Sequence, residues 1–324
     1  MGSSPYWCWG HEEGINEAVV AIGNEAQFTR DFMRAAADDR AGNGPTPGLV
    51  GMELLRLGLE RGATAERAVD VITQRIVRHG QYSSGGVGKA ACHGGYDNSF
   101  FITDPHEMWV LETSGRHWAA RRVTEASASI SNEPTIRTEW TRASEGLVEH
   151  MREVGAPVTE PDYAQALVDP ATPYQLSHLR LMRSRQLLRE AIDVGPVSWR
   201  QARAVLADHY EGTFIDGPAS MLLARTSCPC ACTWARDASP GATPPLRCWR
   251  SPILDGPTGD ELGTVYAERQ PVVREALDSL QAGWLEEVDI LLADGAGASA
   301  WDDLTARATE QAMAAATDLL SRFA

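Results

Sequence analysis

The chain has 324 residues, 43% of them hydrophobic, and a formal charge of -15 at pH 7. That length and apolar content are enough for a large buried core. The acidic balance excludes a surface built for nucleic acid or for an anionic membrane, because both need clustered Lys and Arg.

Along the chain, Ile15 to Asn24 reads as a turn and a strand, since the Val19-Val20-Ala21-Ile22 run is short and rich in β-branched residues. The Asn43-Gly44-Pro45-Thr46-Pro47-Gly48 cluster is a loop. Leu49 to Arg61 then places Leu54, Leu55, Gly58 and Leu59 on one helical face. Ala65 to His79 does the same with Ala68, Val69, Ile72, Ile76 and Val77, after the N-cap candidate Thr64. These two helices form a pair joined at Gly62. Three strand-like runs follow the Ser83-to-Gly88 loop, namely Phe100 to Thr103, Glu107 to Thr113 and His117 to Val123. Asp104-Pro105 and Ser114-Gly115 separate them, which predicts a meander. Glu139 to Arg152, Ser177 to Ala191 and Ser198 to Asp208 read as helices, and the chain is helical again from Val265, broken near Gly295-Ala296-Gly297.

Two asparagine-bearing motifs stand out. The first is Trp9-Gly10-His11-Glu12-Glu13-Gly14-Ile15-Asn16-Glu17 running on to Gly23-Asn24-Glu25, and the second is Ser129-Ile130-Ser131-Asn132-Glu133-Pro134. Each asparagine sits where an apolar run breaks off, which places its amide at a strand end with a donor free to meet a ligand. Together with Met52 to Arg61 and Trp109-Val110-Leu111-Glu112-Thr113-Ser114-Gly115-Arg116, these motifs resemble the secernin and dipeptidase family of cysteine N-terminal-nucleophile hydrolases. The resemblance is close from Trp7 to Asn132 and looser to Gly217.

The resemblance implies an α+β fold, a four-layer αββα sandwich. It also implies hydrolysis or transfer of an acyl group from an amide, with small peptides or acylated amines as substrates and no cofactor or metal. By the same resemblance Asn24 and Asn132 are the catalytic amides that meet the oxyanion from facing sheets. Trp9, His11 and Glu12 would line the substrate mouth. In the family the nucleophilic cysteine heads a strand upstream of the Trp-Gly motif, and an Asn-Ser-Asp-Arg motif follows it. Neither is present in the six residues before Trp7, and Cys8 stands where the family has an apolar residue. The expectation is therefore an incomplete scaffold that does not hydrolyse dipeptides as it stands, or a family relative that acts as a binding or scaffold protein.

Other candidates carry less. Cys92-His93 invites a Cys-His dyad, but neighbours on a strand point to opposite faces. His209 fits a structural role at a helix end. The stretch from Arg225 to Arg250 holds Cys228, Cys230, Cys232 and Cys248, four of the six cysteines, yet Cys-x-Cys-x-Cys lacks the spacing that zinc favours. It reads as an aberrant insertion or a shifted reading frame. The domain expectation is a hydrolase-like body over 1–262 and a helical region over 263–324. Lys89 is the single lysine, and the excess of arginine points to a GC-rich bacterial gene. Without an apolar run of about 20 residues or a secretory leader pattern, cytoplasm is the expected compartment. Association into a homo-oligomer stays open.

Overall fold

A computed structural model describes residues 2–5, 8–84, 90–154, 160–172, 175–208, 210, 272, 279–280, 282–284, 286–291 and 293–323. The stretch from Arg225 to Arg250 and His209 lie outside them. The chain divides into two compact units, Met1–Cys232 and Thr233–Ala324.

The first unit is built on one antiparallel seven-stranded sheet whose spatial order follows the chain. Its strands are β1 (Gly2–Ser3), β2 (Glu13–Ile15), β3 (Ala21–Gln27), β4 (Asp97–Thr103), β5 (Met108–Ser114), β6 (His117–Val123) and β7 (Arg142–Ala143). The helices are α1 (Arg30–Arg40), α2 (Gly51–Arg61), α3 (Ala65–His79), α4 (Leu147–Val154), α5 (Tyr163–Leu167), α6 (Gln175–Val194) and α7 (Trp199–Ala207). A 3₁₀ turn covers Ala91–His93. In the second unit α8 spans Ala298–Phe323, starting just after the expected break at Gly295. Among the described residues no helix is long and apolar enough to cross a membrane.

Strand alternation sorts the apolar side chains into two cores. Ile22, Phe100, Ile102, Trp109, Leu111 and Ala120 face α2 and α3, where they meet Leu54, Leu55, Ile72 and Ile76. Val110, Ala119 and Val123 face the other way and pack with Ile136, Leu147, Met151 and Tyr163. A sheet buried on both sides explains why its strands read as nearly continuous apolar runs. The turns carry their own locks. Asp104 Oδ1 accepts from the backbone N–H of His106 (2.7 Å) and Glu107 (3.0 Å), while its Oδ2 accepts from Ala65 N–H at 2.7 Å. One carboxylate thus closes the β4–β5 turn and satisfies an orphan donor at the start of α3, beside the Thr64 cap. The β5–β6 turn places Gly115 at φ +58°, a conformation natural to glycine.

The meander and the α2–α3 pair match their expectations closely. Elsewhere the outline changes. The expected turn and strand over Ile15 to Asn24 is part of a hairpin, in which a short strand β2 precedes the turn at residues 16–20 and β3 runs on to Gln27. Asn16 holds that turn with its side chain. Its Oδ1 accepts from Ala18 N–H (3.0 Å) and Val20 N–H (2.9 Å), and its Nδ2 donates to the carbonyls of Leu59 and Gly62. Residues 142–143 are strand and α4 starts only at Leu147, because Arg142 and Ala143 pair with β6. Helices α1 and α5 were not foreseen. The described residues contain one sheet, so the observed fold is a mixed α+β arrangement of sheet and helices.

Candidate active site

Asn24 lies in the middle of β3 and not at a strand end. Its side chain is on the face that packs on α2 and α3, as shown by its register opposite Phe100. Asn24 Nδ2 donates to Asn98 Oδ1 (3.1 Å), Asn98 Nδ2 to Gln81 Oε1 (3.0 Å) and Gln81 Nε2 to the Gly115 carbonyl (2.8 Å). This amide relay links β3, β4 and the β5–β6 turn, and the start of α2 packs against it. A Cβ on Gly51 would sit 1.8 Å from Asn98 Oδ1 and 2.6 Å from Asn24 Nδ2, so only glycine lets the helix approach this closely.

The neighbour of Asn24 along the strand, Glu25, points to the opposite face, and there a different chemistry gathers. Asn132 Nδ2 donates to Glu25 Oε2 and to the Ala26 carbonyl, both at 3.1 Å. Arg180 of α6 donates from Nη2 to Asn132 Oδ1 at 2.5 Å. Burial pushes the Glu25 carboxyl up to about 7; Arg180 and the Asn132 hydrogen bond pull it down, and Glu12 and Glu13 push it further up. Burial also raises Glu12 itself, with Glu13 adding to the effect. Two buried atoms here have no hydrogen-bond partner among the described residues, Arg180 Nε and Glu133 Oε1. Such atoms are costly unless a ligand or water meets them.

The loop that brings Asn132 here is sewn down at several points. Gln27 Nε2 donates to the Ser131 carbonyl (3.2 Å), and the hydroxyls of Ser131 and Ser177 pair at 3.0 Å, as do those of Ser129 and Ser184. Arg183 holds Asp208 through Nε (2.9 Å) and Nη2 (2.6 Å), tying α6 to the end of α7. One turn behind, Glu112 is fully buried and accepts from Thr135 N–H (2.6 Å), Thr135 Oγ1 (2.9 Å) and Ile136 N–H (3.0 Å). Burial nonetheless pushes it up to about 7.

The expected site residues therefore separate. Asn132 and Glu12 gather about Glu25, whereas Asn24 serves the opposite face, so the two amides do not converge on one reacting oxygen. Both hydrogens of the Asn132 amide are engaged, whereas Asn24 donates to Asn98 and its own Oδ1 is buried without a partner among the described residues. Trp9 leans on α2, with the Arg56 guanidinium 4.1 Å from its ring centroid and Arg56 Nη1 donating to its carbonyl at 2.6 Å. The His11 backbone N–H donates to the Met52 carbonyl at 2.9 Å, and burial lowers the affinity of its imidazole for a proton. Glu25 and Arg180 were not anticipated; Glu25 was visible only as the residue after Asn24, and Arg180 sits in a helix with several arginines.

Residues 6–139 match the model of Peptidase family C69. The C69-like segment runs from the start of the first asparagine motif past the second and includes strands β2 to β6, with Asn24, Glu25, Glu112 and Asn132 inside it. The likeness of the motifs to dipeptidases is thus borne out over this stretch.

The two cysteines among the described residues are not activated. Burial raises the Cys8 thiol, whose sulfur accepts from Gly10 N–H at 3.2 Å. Cys92 and His93 correct the strand argument against a dyad, because the 3₁₀ turn brings Cys92 Sγ within 3.2 Å of His93 Nδ1. Yet burial and the Asp39 carboxylate beside it raise the Cys92 thiol, the opposite of what a thiolate nucleophile needs. Among the described residues no group of three or more His, Cys, Asp or Glu side chains could hold a metal ion.

Proposed function

We propose that the C69-like segment handles short peptides or acylated amines, with amide hydrolysis as its reaction. The site is the face of β3 that carries Glu25, Asn132 and Arg180. The observation that carries this reading is the family match over residues 6–139, which contains Glu25, a carboxyl on that face held near neutrality, and the amide that positions it. A carboxyl poised near pH 7 suits general acid–base work. Arg180 is placed to receive developing negative charge through its unpartnered Nε. The joint oxyanion role expected of Asn24 and Asn132 is not part of this reading, and Asn132 acts by positioning Glu25. The four-layer sandwich, the 1–262 and 263–324 domains and a cytoplasmic, bacterial setting accompany the proposal.

The state of Cys8 and Cys92 favours a second reading. Hydrolysis by a cysteine mechanism draws its nucleophile from outside the described residues, and without one the chain is a peptide-binding scaffold. The test measures binding and cleavage of alanylalanine by the 324-residue chain, with and without thiol alkylation. Cleavage that alkylation abolishes and Glu25→Gln lowers at least about 100-fold supports the hydrolase. Binding without cleavage supports the scaffold. Neither binding nor cleavage overturns both.

A further inference from the structure

A separate cleft of about 550 Å³ opens beside the β6–β7 connection and against α6. Its size falls within the range of small-molecule sites. Four arginines line it, namely Arg121 from β6, Arg137 from the connection, and Arg185 and Arg189 from α6. Two of them are neutralised and fixed by the fold. Arg121 Nη1 donates to both oxygens of Glu125 (2.8 and 3.0 Å), and Arg137 Nε donates to Asp162 at 2.7 Å.

The other two are not. The Arg185 guanidinium is half-buried and has no hydrogen-bond or ion-pair partner among the described residues. Burial, together with Arg121 and Arg189, disfavours its charge, while Glu133 and Glu112 favour it from a distance. Arg189 donates from Nε to the Arg185 carbonyl at 3.2 Å, and its terminal nitrogens have no partner among the described residues. Two like charges one helical turn apart repel, and sheltering one from water without a partner adds to that cost. Both costs vanish if an anion lies between the guanidiniums, and their forked donors match a planar carboxylate in pairs.

We propose that this cleft binds a small organic carboxylate through Arg185 and Arg189. Glu139 and Asp193, which also line it and have no hydrogen-bond or ion-pair partner among the described residues, keep it from accepting polyanions. The Ile192 side chain, also in the lining, offers the ligand an apolar contact. The carboxylate has two sources, a free dicarboxylic acid and the C-terminus of a short peptide. The binding does not depend on the hydrolase reading, because none of these residues belongs to the Glu25 cluster.

Calorimetry on the full chain with glutarate and with N-acetyl-alanylalanine, each compared with its uncharged amide, tests the assignment. At least one acid should bind saturably and its amide at least about tenfold more weakly. Arg185→Met and Arg189→Met should each weaken the acid by about tenfold or more, Arg185→Lys should retain part of the binding, and Arg152→Met, on the exposed face of α4, should not change it. The acid that binds names the source. Failure of both acids, equal binding of acid and amide, or full binding by both methionine variants in chains with unchanged thermal melts would overturn the proposal.

Discussion

The two faces of one sheet are put to opposite uses. Toward α2 and α3, β3 to β5 present Ile22, Phe100, Ile102, Trp109 and Leu111 to two amphipathic helices, with the amide relay at one end and hydrogen bonds from Asp104 and Asn16 at the turns. The other face also has an apolar core, but it encloses Glu25 and Glu112, both raised to about 7, and meets the arginines of α6. Burial that stabilises on one face is, on the other, spent on holding ionisable groups in unusual states. Stability and chemistry should therefore respond to different substitutions.

The largest effect should come from the helix face. Phe100 is fully buried between β3, β5 and the helices, so Phe100→Ala should cost about 3 to 5 kcal/mol in chemical denaturation. Carboxylate binding by the folded fraction should stay intact. If that binding is lost while the fold survives, the two faces are not independent.

Gly51→Ala comes next. The new methyl group drives into Asn98 Oδ1 and pushes α2 off the relay, and about 1 to 3 kcal/mol should be lost. Amide exchange should speed up at β3 and β4 and remain slow at α4.

The pH dependence sharpens the contrast. Glu25 and Glu112, with Asp97 buried beside Thr29, all have carboxyls raised to about 7. Between about pH 4 and 7 the unfolded chain has released these protons while the native state keeps them. Their contribution is thus full below about pH 4 and is lost as the pH rises through about 7. Asp31, lowered by hydrogen bonds from His150 and Ser114 despite burial that pushes it up, acts the other way and loses its contribution only below about pH 4. Tm should fall by at least about 3 °C from pH 4.5 to 7.5, and Asn132→Ala should steepen the fall near the upper end by removing a hydrogen bond that favours ionised Glu25. A flat Tm over that range would show that the polar face holds its carboxylates charged.

The smallest effect lies at the β2–β3 turn. Val19 is half-exposed at φ +61°, where a β-branched residue is strained. Val19→Gly should raise stability by roughly 1 kcal/mol, and Asn16→Ala, which removes the side chain that imposes the turn, should reverse the gain.

Much of the apolar framework was legible because period-two and helical patterns, along with Thr64 as a cap, are local signals. Helix α1 escaped notice since only Phe32 and Ala36 are buried among its charged residues, too few to make a stripe. The turn at Asn16 was legible, but β2 before it was not, being three residues long with Gly14 at its centre and tied into place through a side chain that reaches Leu59 and Gly62, more than 40 residues away. For the site, the sequence pointed to the right loops but not to the right partners. Asn24 and Glu25 are consecutive, and which of them meets Asn132 depends on the register of β3 against β4, a long-range property. Arg180 and Arg185 look like ordinary helix surface until α6 is laid against the β6–β7 connection.

The order of strands in this sheet also bears on how the molecule comes together. β4, β5 and β6 are linked by turns of a few residues, so they can zip with little loss of chain freedom. β3 pairs with β4 only after about 70 residues of α1, α2 and α3 have been brought into place. Loop-closure cost thus predicts that the meander forms early and that β3, with Asn24 on one side and Glu25 on the other, docks on it later. On that order the polar cluster at Glu25 forms only once β3 has paired with β4, so its ionisable groups lie outside the early nucleus and the site depends on the completed ladder.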